Sequence, residues 1–271
     1  MQFEVSDVRQ IQLTTLDILL EIDRVCKLHQ IEYMLTCGTA LGAVRHKGFI
    51  PWDDDLDISM TRKEYERFIK ALDESLGEDY YYHCFEKDSR YNVLIPAMKI
   101  RKKGTYIKEV NKYLENHCDG DGIFVDVFIF DHFSKNKVLN FFVRTWMFIL
   151  GCLMMFADNF LHINPIKLKK VFLATDRWYA KHNEGSKTWG LSMTWIFNKP
   201  NRQQIYKEED LFPVSYGEFE GYTFPMPHNP DALLRVEIGD DYMTLPPVEK
   251  RISKHTVEFN IHGDGPKEKS K

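Results

Sequence analysis

The chain has 271 residues, a formal net charge of −4, and 44% hydrophobic against 28% charged residues. That length suits one large domain or a core with an appended lobe, and that balance excludes a disordered chain except at its ends. The acidic balance argues against binding nucleic acid through bulk electrostatics, which needs a basic excess, and confines any phosphate binding to a local site.

Taken in chain order, the opening stretch MQFEVSDVRQIQL has an early acid and no unbroken apolar run, unlike a signal peptide. Val8 to Gln30 sets Val8, Ile11, Leu16, Leu19, Leu20, Val25 and Leu28 among charges, the pattern of an amphipathic helix lying on a sheet. IEYMLTC reads as a short strand stopped at Gly38, and DLDISM as a second strand with acids at alternate positions. Thr61 and Glu64 stand in the order of a capping box, with Tyr65, Phe68, Ile69 and Leu72 at helical spacing behind them. A helix is predicted from Arg62 to Leu76, ended by Gly77. YYYHCF, AMKIRKKGTYI and GIFVDVFIF read as three further strands, the last apolar apart from Asp126.

Val138 to Phe160 is apolar for about the length that crosses a bilayer. Asn140 and Arg144 interrupt its first half, and the unbroken run from Thr145 to Ala157 is short of the ~20 residues a span needs. A buried core helix is expected, with attachment to a membrane surface as the second reading and a span as the third. Past Pro165 a helix is predicted from Lys167 to Ala180. Beyond Pro200 the composition shifts to Pro, Gly and aromatics, predicting short strands, turns and a helix from Pro230 to Ile238. The tail HGDGPKEKSK is expected to be disordered.

Chemistry concentrates in CGTALGAVRHKGFIPWDDDLDISM. On a strand, Asp55 and Asp57 project from one face while Leu56 and Ile58 enter the other. Carboxylates held that close repel unless a divalent cation or a proton is shared, and hard oxygen ligands suit Mg²⁺ or Mn²⁺. Asp126 can add a third carboxylate from a neighbouring strand. Asp53 lies ahead of the strand and Asp54 has the opposite parity, so either can simply cap the turn. Gly38 and Thr39, directly after a strand, can bring backbone N–H groups, a helix N-terminus and a hydroxyl to a phosphate. Arg45, His46 and Lys47 can neutralise further phosphate charge. An isolated acid run is ordinarily a solvated turn; here it sits inside an apolar alternation beside Pro51 and Trp52, which favours the metal.

Other constellations are weaker. The five cysteines Cys26, Cys37, Cys84, Cys118 and Cys152 form no CxxC pair and fit a reducing cytoplasm. His83-Cys84 and His117-Cys118 have zinc-type side chains, but neighbours on a strand face opposite sides, so ordinary buried cysteines are expected. Lys102 and Lys103 read as a solvated strand end, whereas Lys99 and Arg101 share one strand face.

GTALGAVRHKGFIPWDDDLDISM, then VDVFIFD, then GDDYMTLPPVEKR with His255 beyond, resemble in order the LicD family of phosphotransferases, also called the LicD/fukutin family. The resemblance runs from about Tyr33 to His255. It implies an α/β (α+β) fold: a nucleotidyltransferase-like core with a mixed sheet flanked by helices, plus a helical insertion and a C-terminal lobe. It also implies transfer of a phospho-alcohol, typically phosphocholine, from a CDP-activated donor to a sugar hydroxyl, releasing CMP. The acceptor would be a cell-surface glycoconjugate such as lipopolysaccharide or teichoic acid, or its lipid-linked precursor, reached from the cytoplasm at the inner face of the membrane. Carried over, Asp53, Asp55 and Asp57 hold Mg²⁺ or Mn²⁺, Asp126 acts as ligand or base, and Gly38-Thr39 is the phosphate turn. Asp240, Asp241, Tyr242 and His255 fall on the acceptor side. The gap between the glycine turn and the acids is longer than in the wider nucleotidyltransferase pattern, which fits this branch. The organisation expected is a catalytic core at 1–134, a helical segment at 135–199 that is buried or at a membrane surface, a C-terminal lobe at 200–261 completing the site, and a disordered tail at 262–271. Two other readings keep their place: nucleotide transfer to a small hydroxyl compound, and a non-catalytic scaffold on a membrane surface.

Overall fold

Helix α1 (Val5–His29) opens the described chain, with Ile11, Ile18, Leu19, Ile22 and Val25 fully buried along one stripe while Leu13 and Leu28 face solvent. The structure, a computed structural model, describes residues 5–110, 117–194, 196 and 204–263; most of the tail expected to be disordered, 264–271, lies outside them. Strand β1 (Met34–Leu35) is followed by helix α2 (Cys37–His46), strand β2 (Asp57–Thr61) and helix α3 (Arg62–Ser75). The α3 cap forms as its sequence order requires: the Thr61 hydroxyl accepts the N–H of Glu64 at 3.3 Å. Strands β3 (Tyr80–Cys84), β4 (Met98–Lys102), β5 (Tyr106–Glu109) and β6 (Phe124–His132) come next. Helices α4 (Lys137–Leu161) and α5 (Ile166–His182) make a hairpin before strands β7 (Thr188–Leu191) and β8 (Ile205–Lys207). Helix α6 (Glu208–Leu211), strands β9 (Ser215–Phe219) and β10 (Tyr222–Met226), helix α7 (Pro230–Glu237) and strand β11 (Thr256–Asn260) complete the order.

The main sheet runs β1-β2-β6-β4-β3, with β7 on the part of β6 beyond β4 and β8 beside β7. β2 and β6 are parallel and every other pair is antiparallel, so the sheet is mixed, as expected for the fold class. Helices α1 and α3 pack on each other and over β6, and α2 packs against β2 and α7. β9 and β10 form a hairpin, and β11 pairs with β5, so residues far down the chain are stitched to its first half.

Four elements differ from the sequence reading, each for a physical reason. IEYMLTC keeps only two strand residues, because Cys37 enters the left-handed region at φ +53° and starts a helix. AMKIRKKGTYI splits at Gly104, which adopts φ +66° and redirects the chain so that β5 pairs with β11. The helical stretch expected to reach residue 199 ends at His182, and β7 returns to the sheet. DLDISM forms a strand only from Asp57: the Gln12 amide donates to the carbonyls of Ile50 (3.1 Å) and Asp53 (2.8 Å), holding the chain in a turn ahead of it.

A second, smaller core lies under the α4–α5 hairpin, where Met147, Leu150 and Met154 meet Phe172, Tyr179 and Phe133. An ion triad locks this unit to the main one. Arg62 of α3 donates to Asp131 of β6 and to Asp176 of α5, the latter at 2.5 Å. Burial pulls the Arg62 guanidinium down, and the two aspartates more than offset it and hold it above its ordinary range.

Candidate active site

The parallel pairing of β2 with β6 sets Asp57 directly beside Asp126. Neighbouring strands lie about 4.8 Å apart and paired residues share a face, so the two carboxylates project together. The antiparallel pairing of β6 with β4 adds Lys99 to the row, and β3 adds His83. One polar line, Asp57, Asp126, Lys99 and His83, therefore crosses a sheet whose next row is Ile58, Val127, Met98 and Cys84. Lys99 is 1% exposed; its Nζ lies 3.0 Å from Asp126 Oδ1, without hydrogen-bond alignment, and 3.2 Å from Glu109.

Asp53, Asp54 and Asp55 occupy the turn before β2 and take different partners. Asp54 is buried and accepts from the Ser253 hydroxyl at 2.6 Å, the Thr256 N–H at 2.8 Å and the Lys254 N–H at 3.3 Å. It thereby clasps the loop ahead of β11. Burial pushes its carboxyl up, but those donors together bring it below its ordinary value. The same loop delivers His255, whose Nε2 stands 3.3 Å from Asp55 Oδ2. Ligand atoms of Asp53, Asp54 and His255 lie within 4.8 Å of one another.

The N-terminus of α2 meets these acids. A Cβ on Gly38 would fall 2.6 Å from Asp53 Oδ2, so only glycine lets the helix start this close to the carboxylate. Thr39 is buried, and its hydroxyl accepts the N–H of Asp57 at 2.8 Å, locking the helix to the first residue of β2. The Cys37 N–H donates to Glu237 at the end of α7 (2.8 Å), and Glu237 also accepts the Tyr206 hydroxyl (2.9 Å). The basic triplet stands at the other end of α2, about 12 Å along its axis from Gly38. Arg45 donates to the carbonyls of Tyr242 (2.7 Å) and Thr244 (3.5 Å), and through Nε to His46 Nε2 (3.0 Å), so that imidazole nitrogen carries no proton. Lys47 caps the helix in the left-handed region with its side chain exposed.

Electrostatics single out the acids. Burial first, then Asp55 and Asp54, pushes Asp53 well up; burial and then Asp55 and Asp126 do the same to Asp57. Asp55 is raised by burial against the pull of His255, Asp126 to about 6 by burial against Lys99, and Glu237 to about 7 by burial. Among the described residues, the basic side chains in contact with these five carboxyls are Lys99 on Asp126 and His255 on Asp55. Asp53 and Asp57 have no basic group in such contact, although Lys254 and Arg45 act on Asp53 from further away. A carboxylate-rich set with one imidazole at its edge, beside a helix N-terminus, has the chemistry of a site for a hard divalent cation and a phosphate.

Of the residues expected at the site, Gly38, Thr39, Asp53, Asp55, Asp57 and Asp126 come together. Of those expected on the acceptor side, His255 joins them. Asp240 is exposed and pairs with Arg235 at 3.3 Å, Asp241 is exposed, and the Tyr242 hydroxyl donates to Asp231 at 2.7 Å. The sequence reading missed Glu237, because an acid at the end of an amphipathic helix looks like any solvated one. It noticed Lys99 without a role, and shared strand parity with Arg101 was the available signal. His83 Nε2 engages the Asp119 carbonyl at 3.0 Å and His117 pairs with Asp158 at 2.8 Å, so the His-Cys pairs do not converge.

Residues 30–149 match the family described as LicD/FKTN/FKRP, nucleotidyltransferase domain, a span that covers Gly38 through Asp126 and leaves out Glu237 and His255. A 73-residue stretch, 27% of this chain and 28% of the relative, is 47% identical to the lipopolysaccharide cholinephosphotransferase LicD of Haemophilus influenzae. An uncharacterized protein of Rickettsia typhi is 48% identical over 44 residues, 16% of this chain and 14% of the relative. One of Rickettsia prowazekii is 53% identical over 36 residues, 13% of this chain and 14% of the relative. The matched stretches span less than a third of each of these relatives.

Proposed function

We propose, for a chain that belongs to the LicD family through its nucleotidyltransferase domain at residues 30–149, the metal-dependent transfer of a phospho-alcohol from a CDP-activated donor to a sugar hydroxyl. Phosphocholine is the group we assign first and a cell-surface glycolipid such as lipopolysaccharide the acceptor, since the Haemophilus influenzae relative bears the name of a lipopolysaccharide cholinephosphotransferase. The observation that carries this reading is the in-register pair Asp57 and Asp126, with Asp53 and Asp55 alongside and no cation in contact with Asp53 or Asp57 among the described residues.

Asp53, Asp55 and Asp57 would hold Mg²⁺ or Mn²⁺; Asp54 is committed to the 253–256 loop and serves as an anchor. Bound there, the cation would supply charge neutralisation for the donor diphosphate and the departing CMP. The N–H groups of Gly38 and Thr39 at the start of α2 meet phosphate oxygens, with the helix dipole favouring the negative charge. Asp126, raised to about 6, accepts the proton of the attacking sugar hydroxyl, and Lys99 keeps the basic form available at neutral pH. That oxygen bonds to the phosphorus bearing the alcohol while the bond from phosphorus to the CMP oxygen breaks. We place the reaction in the cytoplasm, at the inner face of the membrane.

The test is CMP release by purified protein from CDP-choline, CDP-ribitol, CDP-glycerol and CDP-ethanolamine, with Mg²⁺ and cell-envelope glycolipid, beside Asp57→Asn. Acceptor-dependent CMP from one donor, lost in the variant, is expected. Pyrophosphate release from a nucleoside triphosphate in place of CMP would overturn the reading in favour of nucleotide transfer.

A further inference from the structure

Helix α4 is apolar on both its buried and its exposed face. Asn140, Val143, Met147, Leu150, Gly151 and Met154 form the buried stripe, which packs on α5 and on Phe133 just past β6. On the opposite side Phe141, Phe142, Phe148, Phe156 and Phe160 are each between 51% and 70% exposed. Trp146 on α4 and Trp178 on α5 are also exposed, so the outward surface of the hairpin is apolar and aromatic over much of its length. Patches of this extent on a soluble surface mark an interaction site.

Charge identifies the partner. Residues 135–183 carry eight Lys or Arg against two Asp, in a chain whose net charge is −4. Neither acid is exposed: Asp176 is buried against Arg62, and Asp158 pairs with His117. Lys135, Lys137, Lys167, Lys170 and Lys181 are exposed around the apolar face. We propose that the outer face of the α4–α5 hairpin docks on an anionic phospholipid leaflet, with the phenylalanines entering the interface and the lysines meeting lipid phosphates. A second copy of the chain docked there would bring like charge against like charge, which a symmetric interface cannot relieve. By length and composition α4 could cross a bilayer. Its buried stripe argues for lying flat, because Asn140 donates to the Ser134 carbonyl (2.9 Å) and accepts the Tyr179 hydroxyl (2.6 Å), bonds a span would break.

The test is sedimentation of the full chain with vesicles of phosphatidylcholine alone or containing about 30% phosphatidylglycerol, independent of any catalytic activity. Preferential binding to the anionic vesicles, weakened by roughly 0.5 M salt, is expected. The variant Phe141→Ser, Phe148→Ser, Phe156→Ser should bind more than about tenfold more weakly while keeping the wild-type melting temperature, since its substitutions lie outside the packed stripe. Lys167→Glu, Lys170→Glu should lose the preference for anionic lipid. Equal binding by wild type and the serine variant overturns the proposal. Failure of the wild type to bind either vesicle overturns it too, and a concentration-dependent dimer abolished by the same serines would assign the face to self-association.

Discussion

Glu237→Gln isolates the charge of the acid that closes the N-terminus of α2. The carboxyl accepts the Cys37 N–H and the Tyr206 hydroxyl, and burial lifts it from 4.5 to about 7. A difference of about 2.5 in pKa corresponds to at most roughly 3 kcal/mol between its protonated and ionised forms on folding. The folded chain holds this proton more tightly than the unfolded chain does. The contribution is therefore full below pH 4.5 and lost as pH rises to about 7. Glutamine keeps an acceptor oxygen without the charge, at the expense of one weakened bond of about 1 kcal/mol. The metal-free variant should thus be about 1–2 kcal/mol more stable than wild type at pH 8, or a few degrees in melting temperature, and equal to it or slightly less stable at pH 5. Thermal melts in EDTA at the two pH values measure this directly. A variant that melts below wild type at pH 8, or that shows an unchanged difference between pH 5 and pH 8, would refute the reasoning.

Asp54→Ala removes the carboxylate that gathers the 253–256 loop and leaves the buried Thr256 N–H without its acceptor, so urea unfolding should show a loss of about 3–4 kcal/mol. Because the Asp54 carboxyl is held below its ordinary 3.8, its contribution is present above that pH and fades as pH falls through the lowered value. A loss under 1 kcal/mol at pH 7 would deny the clasp. Asp176→Ala breaks the buried triad on Arg62 and should cost about 3–5 kcal/mol in the same assay; a neutral result would mean that Asp131 alone satisfies the guanidinium.

The most legible features of the sequence were those written by local rules. Thr61 and Glu64 announce the start of α3 because a capping box needs only four consecutive residues. Asp57 and Asp126 stand out because each interrupts an apolar alternation, and an acid in such a place needs a reason. The position of Asp55 depends on distant partners, Gln12 on one side of the turn and the loop from Ser253 to Thr256 on the other, so local alternation alone extends the strand too far. β5 leaves the direction of β4 because its partner is β11, about 150 residues away. Periodicity exposes the buried stripe of α4 but says little about its other face, since an apolar residue reads the same whether it meets protein or solvent.

The Asp54 clasp also ties the centre to a distant part of the chain. Asp57 and Asp126 can pair as soon as β2 and β6 exist, within the first half of the chain. His255 arrives only when the loop two hundred residues later closes on Asp54 and β11 zips onto β5. Closing so long a loop carries an entropic cost that the hydrogen bonds on Asp54 and the β5–β11 pairing must offset. Two segments two hundred residues apart are joined there, and the clasp is the latch on the site.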